Sequence, residues 1–381
     1  MSISEALVER MRGWRHALHA APETAFEEVA TAALVAGVLR EAGIETHERV
    51  GRTGVVGVLR RGAGPSLGLR ADLDALPLQE KNTFAHASQH AGKMHACGHD
   101  GHTAMLLGAA LALKDDPGWC GTVHLIFQPA EEVAGGGQVM VDDGLFERFP
   151  CDRVFGLHNW PALPFGQFVV NAGPMMASFD TFEIVVQGKG AHAAMPEQGI
   201  DTLLCTSEIV LALQSIVSRR LPAHETAVVS VTQIHGGDAY NVLPDDAVIR
   251  GTVRCFSLET QRRIEALIGE IAAGIAGTHG ARATLAYRYG YPATINAPLE
   301  AELARTAAAR VTGATGAGEG RASMASEDFA FMLQRRPGAY VWLGTGGAAP
   351  LHNPHYDFND AALALGAGFW LELVRTCAPA N

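Results

Sequence analysis

The sequence predicts an α/β fold interrupted by an inserted ferredoxin-like α+β unit, and three observations carry that expectation. Short apolar runs bounded by Gly and Pro alternate with helical patterns through residues 1–177 and again from 292 to 381, the rhythm of a sheet covered by helices. Between 178 and 291 the order changes to strand, helix, strand, strand, helix, strand, which is a β-α-β-β-α-β arrangement. The 381 residues, 48% of them hydrophobic, exceed one domain of ~150 residues and supply apolar material for more than one core. We therefore expect one α/β domain built from 1–177 plus 292–381, and a second domain at 178–291.

The elements follow in order. Ser2 and Glu5 form a capping-box pattern ahead of Leu7, Met11, Trp14 and Leu18 at helical spacing, and Thr24 with Glu27 repeats it before a helix at 29–39 that Gly43 closes. Residues 54–59 and 67–72 are continuous apolar runs, the pattern of strands buried on both faces. An irregular stretch reaches Asp100, and a helix is expected at 103–114. Further strands at 123–127, 154–158 and 339–343, with a last helix at 360–374, predict a largely parallel sheet. In the insertion the strands fall at 181–187, 226–234, 247–256 and 284–289, and the helices at 201–219 and 258–277.

Composition narrows the function. With 29 basic against 40 acidic residues the net charge is −11, the acids are scattered, and a nucleic-acid partner is excluded on electrostatic grounds. Polar residues break every apolar run well before the ~20 needed for a membrane span, and Glu5, Glu9 and Arg10 stand where a basic-then-apolar leader would. Six dilute cysteines do not form a disulfide framework in a chain of this length. The expectation is a soluble, cytoplasmic protein with no membrane partner. Its 43 glycines and 16 histidines point to loops that hold chemistry.

Cys97-Gly98-His99-Asp100-Gly101-His102 gathers a thiol, two imidazoles and a carboxylate just before a helix. If the segment is extended, Cys97 and His99 face one ion, and thiolate with neutral imidazole suits a borderline cation such as zinc. A lone buried Cys is more often inert, but the density of ligand types favours metal. Gln128-Pro129-Ala130-Glu131-Glu132 places two carboxylates at the carboxyl end of a strand, where ligands bind in open α/β sheets. One can hold a cation while its neighbour faces water as general base; taken alone, the pair also reads as a solvated turn. His158, the pair Asp72 and Asp74, and His352 follow three other strands, so four strands bring Asp, Glu, His and His to one rim that the Cys97 loop can join. That set has ligands enough for two metals sharing a bridging group. In the insertion, His192 within Gly188–Ala194 and Asn241 within Asn241–Asp245 could donate to an oxyanion or hold a substrate carboxylate, while ordinary turn chemistry accounts for both equally well.

These motifs, in this order, resemble the metal-dependent aminoacylase/carboxypeptidase family that includes hippurate hydrolase and the indole-acetyl-amino-acid hydrolases. The resemblance runs end to end, from Arg15-His16 and Pro22-Glu23 through Arg70–Pro77, Met94–His102, Gln128–Glu132, the His158 and His192 motifs and Asn241–Pro244 to Ser326–Phe329 and Leu351–Pro354. It implies a zinc-peptidase-like catalytic domain with the insertion as lid and dimerisation domain, in a homodimer or higher homo-oligomer. It implies two divalent ions per subunit, zinc or manganese with cobalt or nickel as alternatives, held by Cys97, His99, Glu132, His158 and His352, with Cys97 as the bridge. Glu131 is then the general base, His192 a catalytic oxyanion donor from its own or a neighbouring subunit, and Asn241 with His192 the substrate contacts. Related peptidases carry His where this chain has Asp72, so Asp72 is left outside the ligand set and Asp74 is expected behind the ligands.

The implied reaction is metal-dependent hydrolysis of N-acyl or N-aroyl amino acids, hippurate-like small molecules. A dipeptidase or a deacetylase of an N-acetylated intermediate is the alternative on the same fold. From other classes, a non-catalytic amino-acid or metal-binding module is opposed by Glu131 beside a full ligand set, and a redox protein acting through Cys97 by the lack of a Cys-x-x-Cys pair.

Overall fold

A computed structural model of the chain describes residues 3–347 and 349–380. The backbone forms two compact units, one from 1–175, 295–321 and 328–381, the other from 176–294 and 322–327. The short segment 322–327 joins the second unit although it lies beyond the insertion in sequence.

The first unit is built on an eight-stranded sheet whose spatial order is Glu45–Val50, Gly54–Arg61, Gly121–Gln128, Ser66–Asp72, Arg153–Trp160, Gly338–Gly344, Phe168–Val169 and Ala317–Gly318. The four central strands are parallel to one another. Antiparallel pairings flank them on both sides, so the sheet is mixed where a largely parallel one was expected. Strand Glu45–Val50 was not anticipated, because its polar, edge-exposed sequence carries no buried-strand signal. Helices Glu5–Ala20, Val29–Glu41, His99–Asp115, Pro298–Thr312 and Ala362–Cys377 contribute to the core together with inward residues such as Leu69, Leu125, Phe155 and Val341. Helix His99–Asp115 is buried almost all round, which fits its lack of a polar face.

In the first unit, the caps or starts of the first three helices differ from the sequence reading. The capping box placed on Ser2 lies outside the described residues; Ser4 caps the first helix by accepting from Leu7 N–H. Thr24 does not cap the second helix. Its hydroxyl donates to Glu27 at 2.8 Å, and the cap position is Glu28, whose buried carboxylate is drawn off to accept from Phe26 N–H, Ala130 N–H and the Thr53 hydroxyl. The third helix begins at His99 rather than 103, so both histidines of the Cys97 motif stand on its first turn.

In the second unit, four antiparallel strands lie in the order Ala227–His235, Asp246–Cys255, Phe179–Gln187, Arg282–Tyr291, the ferredoxin-like topology. Helices Thr202–Leu213 and Leu258–Thr278 supply the rest of a core with Ile184, Ile209, Ile249 and Ile268. Asp201 and Ser257 cap them through side-chain oxygens. The single helix expected at 201–219 is instead Thr202–Leu213 followed by a π turn, Ile216–Arg220. Around that break the Gln214, Ser215 and Ser218 side chains donate to the carbonyls of Val210, Ala212 and Gln214, competing with the regular helical bonds. Among the described residues no helix is long and apolar enough to cross a membrane.

Candidate metal centre

The four strands expected to deliver chemistry are the four central parallel strands, and their carboxyl ends form one rim. Asp72 ends the first, Gln128 leads to Glu131 and Glu132, His158 lies near the end of the third, and the loop after Gly344 carries His352. In the ladder Asp72 is in register with Gln128, and His158 with Trp342.

Gly98 makes the Cys97 motif work. The segment is not extended, as the sequence reading supposed; Gly98 caps the helix in the left-handed region at φ 94°. A Cβ there would also lie 2.5 Å from Asn159 Oδ1 and 2.8 Å from the Tyr356 hydroxyl. Past this bend, Cys97 and His99 turn toward each other. Cys97, His99 and His158 offer ligand atoms all within 4.8 Å of one another, and so do Cys97, Glu132 and His352. Cys97 belongs to both groups, the position a bridging thiolate needs. Cys97 Sγ lies 3.4 Å from His158 Nε2, and His352 Nε2 lies 3.4 Å from Glu132 Oε1. Two donors at ~2.1–2.3 Å on a tetrahedral ion are about that far apart.

The surrounding hydrogen bonds orient these candidate ligands. His99 Nδ1–H donates to the Asp74 carbonyl at 2.8 Å and His158 Nδ1–H to the Asn159 carbonyl at 2.6 Å, which leaves both Nε2 atoms as lone-pair donors into the site. The two Asp74 carboxylate oxygens accept from Glu131 N–H and Glu132 N–H, each at 3.0 Å. Asp74 thus grips the backbone of the glutamate turn, whose entry residue Ala130 has φ 55°. His352 is itself left-handed at φ 61°; its N–H bonds to Ala96 O at 2.8 Å, and its side chain is 54% exposed.

The donor set fits divalent cations. Among the described residues, His99 Nε2 and Glu132 Oε1 are buried and have no hydrogen-bond partner, a cost of about 1–3 kcal/mol each unless something binds them. Burial, then the Glu132, Glu131 and Asp72 carboxylates, push the Cys97 thiol well above its usual range, so a thiolate here requires positive charge beside it. His158 is pushed well below the ordinary imidazole range by burial and by His102, which keeps it neutral and able to ligate. Burial would lower His99 as well, but Asp72, Asp74 and Glu132 outweigh it and raise it to about 10, charge that a bound cation would replace.

Asp72 is engaged by protein. Arg70 Nη1 donates to it at 2.7 Å and His102 Nδ1–H at 2.6 Å; burial opposes its ionised form, but His99, His102 and Arg70 together hold it well below the usual carboxylate range. Arg70 also pairs with Asp328 at 2.9 Å and donates to Gln128 Oε1 at 2.9 Å, a fully buried lattice that braces the rim. Sequence reasoning left Glu28, Arg70, His102, Asn159 and Tyr356 without roles. Arg70 and His102 carried a signal, their places in the Asp72 and Cys97 motifs.

In the second unit, His192 and Asn241 are brought together. The strand Ala191–His192 pairs with Val242–Leu243, the Asn241 carbonyl accepts from Ala193 N–H at 3.0 Å, and both side chains are exposed.

Comparison with known proteins finds relatives over nearly the whole chain. The Campylobacter jejuni hippurate hydrolase is 42% identical over 361 residues, covering 94% of this chain and 94% of that one. A Bacillus subtilis N-acetylcysteine deacetylase is 39% identical over 372 residues, 97% of each. A solved Bacillus subtilis dinuclear metal-binding peptidase of the M20 family superposes with a TM-score of 0.88 at 35% identity, over 98% of both chains. Residues 68–376 match the family described as peptidase family M20/M25/M40, and the chain belongs to that family of metal-dependent hydrolases.

Proposed function

We propose that this protein hydrolyses the amide bond of small N-acyl or N-aroyl amino acids, hippurate-like compounds, at a pair of divalent ions held by Cys97, His99, Glu132, His158 and His352. The observation that carries the reading is the pair of three-ligand groups sharing Cys97, with buried, unpartnered donors on His99 and Glu132 and the Glu131 carboxylate within 4.8 Å of donors on both. When bound, the ions supply Lewis acidity toward the amide carbonyl and make water more acidic. Zinc or manganese suits the mixed thiolate, imidazole and carboxylate set.

Glu131 takes the proton of the attacking water at its carboxylate and returns it to the leaving amine nitrogen. Its backbone is fixed by Asp74, so the carboxylate needs little reorganisation as the proton moves. His192 donates to the developing oxyanion and Asn241 holds the substrate; the pairing of their short strands supports reading the two as one substrate-contacting edge. We place the second unit in the role of lid and dimerisation domain. Exposed Leu204 and Leu211 on its helix and Ile234 on its edge strand support a homo-oligomer through it. Six unpaired cysteines support a reducing compartment, the cytoplasm.

Likeness to the N-acetylcysteine deacetylase favours a second reading, removal of an acetyl group from an N-acetylated amino acid. One assay separates the two. Metal-stripped and re-metallated protein is given N-benzoylglycine, N-acetyl amino acids, indole-acetyl conjugates and dipeptides. Metal-restorable cleavage of aroyl substrates supports the first reading, of acetyl substrates alone the second. Two bound ions with no turnover on the whole panel would sink both.

A further inference from the structure

A buried hydrogen-bonded chain crosses the rim behind the ligands and has no role in the reaction described above. It runs Asp72, His102, Asn159, Tyr356, all four buried. His102 Nδ1–H donates to Asp72 Oδ1 at 2.6 Å. At its other nitrogen, Nε2, the Asn159 backbone N–H donates at 3.0 Å, and the Asn159 side-chain oxygen lies 2.6 Å away. Asn159 Nδ2 donates to the Tyr356 hydroxyl at 2.7 Å.

Each member belongs to a different element of the rim, and the elements of His102, Asn159 and Tyr356 each carry a proposed ligand. Asp72 ends the strand two residues before Asp74, which grips His99 and the glutamate turn. His102 stands on the first turn of the helix that begins with His99. Asn159 follows His158 on its strand, and its carbonyl orients the His158 ring. Tyr356 lies four residues after His352 on the same loop, whose turn closes by Tyr356 N–H to Asn353 O at 2.9 Å. The His102 ring also meets His158 nearly edge-on, with centroids 4.5 Å apart and planes at 65°.

We infer that His102 is a positioning residue for the metal pair: the Asp72–His102–Asn159–Tyr356 chain holds four separately folded elements at the spacing two cations require, and fixes the His158 ring through both its carbonyl partner and edge contact. The inference rests on the reading of Cys97, His99, Glu132, His158 and His352 as ligands. Both ring nitrogens of His102 are engaged by protein, Nδ1 by Asp72 and Nε2 by Asn159. The residue works by removing the freedom of groups that would otherwise have to be ordered on binding, which is why outer partners of metal ligands typically matter 10–100-fold in affinity.

The test titrates zinc into metal-free wild type and variants against a competing chelator, and follows cobalt-substituted protein by its visible and thiolate charge-transfer absorption. Three variants are used. His102→Asn is placed to keep the bond to Asp72 and lose the Asn159 link, His102→Phe removes both, and Tyr356→Phe deletes one hydroxyl with the ring kept in its core. We expect His102→Phe to weaken one of the two binding steps about 10–100-fold with a changed cobalt spectrum, His102→Asn to fall between it and wild type, and Tyr356→Phe to weaken the same step least. The thermal midpoint of metal-free Tyr356→Phe should stay near that of wild type while its zinc affinity drops. Wild-type affinities and spectra in all three variants would overturn the proposal, as would affinity losses that merely follow loss of metal-free stability. Failure of the wild type itself to take up two ions would instead overturn the ligand assignment.

Discussion

At Glu131 and Gly98 a single substitution separates chemistry from folding. Replacing Glu131 by Gln keeps size and burial but removes the proton acceptor; kcat should fall roughly 10²–10⁴-fold while two zinc ions still bind by metal analysis. Retained turnover would remove Glu131 from the mechanism. Gly98→Ala forces a Cβ into the left-handed region and against Asn159 and Tyr356, so zinc affinity should fall even if the sheet survives. Equilibrium dialysis against a chelator would show it. The ligand-type residues were legible in sequence because each stood beside a strand end or a glycine bend and their chemistry is rare in combination. The residues that aim them were not: Glu28, Asn159 and Tyr356 come from segments whose local pattern predicts only a helix start, a strand end and a loop. Their roles exist through contacts across 102, 57 and 197 residues of chain, which no spacing rule reads.

At the level of elements, the first helix is tied to the start of the third by a buried ion pair rather than by apolar packing alone. His19 Nδ1–H donates to Asp100 Oδ2 at 2.8 Å, and His19 Nε2 lies 3.3 Å from Glu80 Oε1. Burial opposes its charge, yet Asp100 raises His19 to about 9. Since the folded value lies above the unfolded one near 6.5, this contribution is fully present below about pH 6.5 and disappears as pH rises through about 9. Urea unfolding of wild type and His19→Gln at pH 6 and pH 10 should show a large difference at pH 6 and a much smaller one at pH 10. An equal difference at both would remove the charged pair. Elements with a strong period and clean ends, such as the Ala362–Cys377 helix, were readable within a few residues. The third helix was misplaced by one turn because His99, Asp100 and His102 look like loop chemistry. Their burial inside the rim, which tertiary contacts alone decide, makes that turn helical.

For the whole molecule, the sequence rhythm distinguished an alternating α/β body from a β-α-β-β-α-β insertion because the two have different connection lengths and different strand neighbours. It had no means of assigning 322–327 to the second unit, since six residues carry no period. The central strand Gly338–Gly344 shows a related limit: its apolar run predicts a strand, but not that it lies between Arg153–Trp160 and Phe168–Val169, two strands far earlier in the chain. Deleting residues from 338 onward should therefore leave the ferredoxin-like unit protected in amide hydrogen exchange while the first unit loses protection and binds no metal pair. Global loss of protection would show that the two units do not fold separately.

That late-arriving strand also sets a timetable for biosynthesis. On the ribosome, the nascent chain presents Cys97, His99, Glu132 and His158 long before Gly338–Gly344 can fill the gap in the sheet or His352 can complete the second ligand group. The insertion can close its own core in the interval, but the half-built sheet keeps an open slot between two unpaired edges. On the proposed ligand set, the second group of donors is therefore assembled only once Gly338–Gly344 has entered the sheet and His352 has followed it.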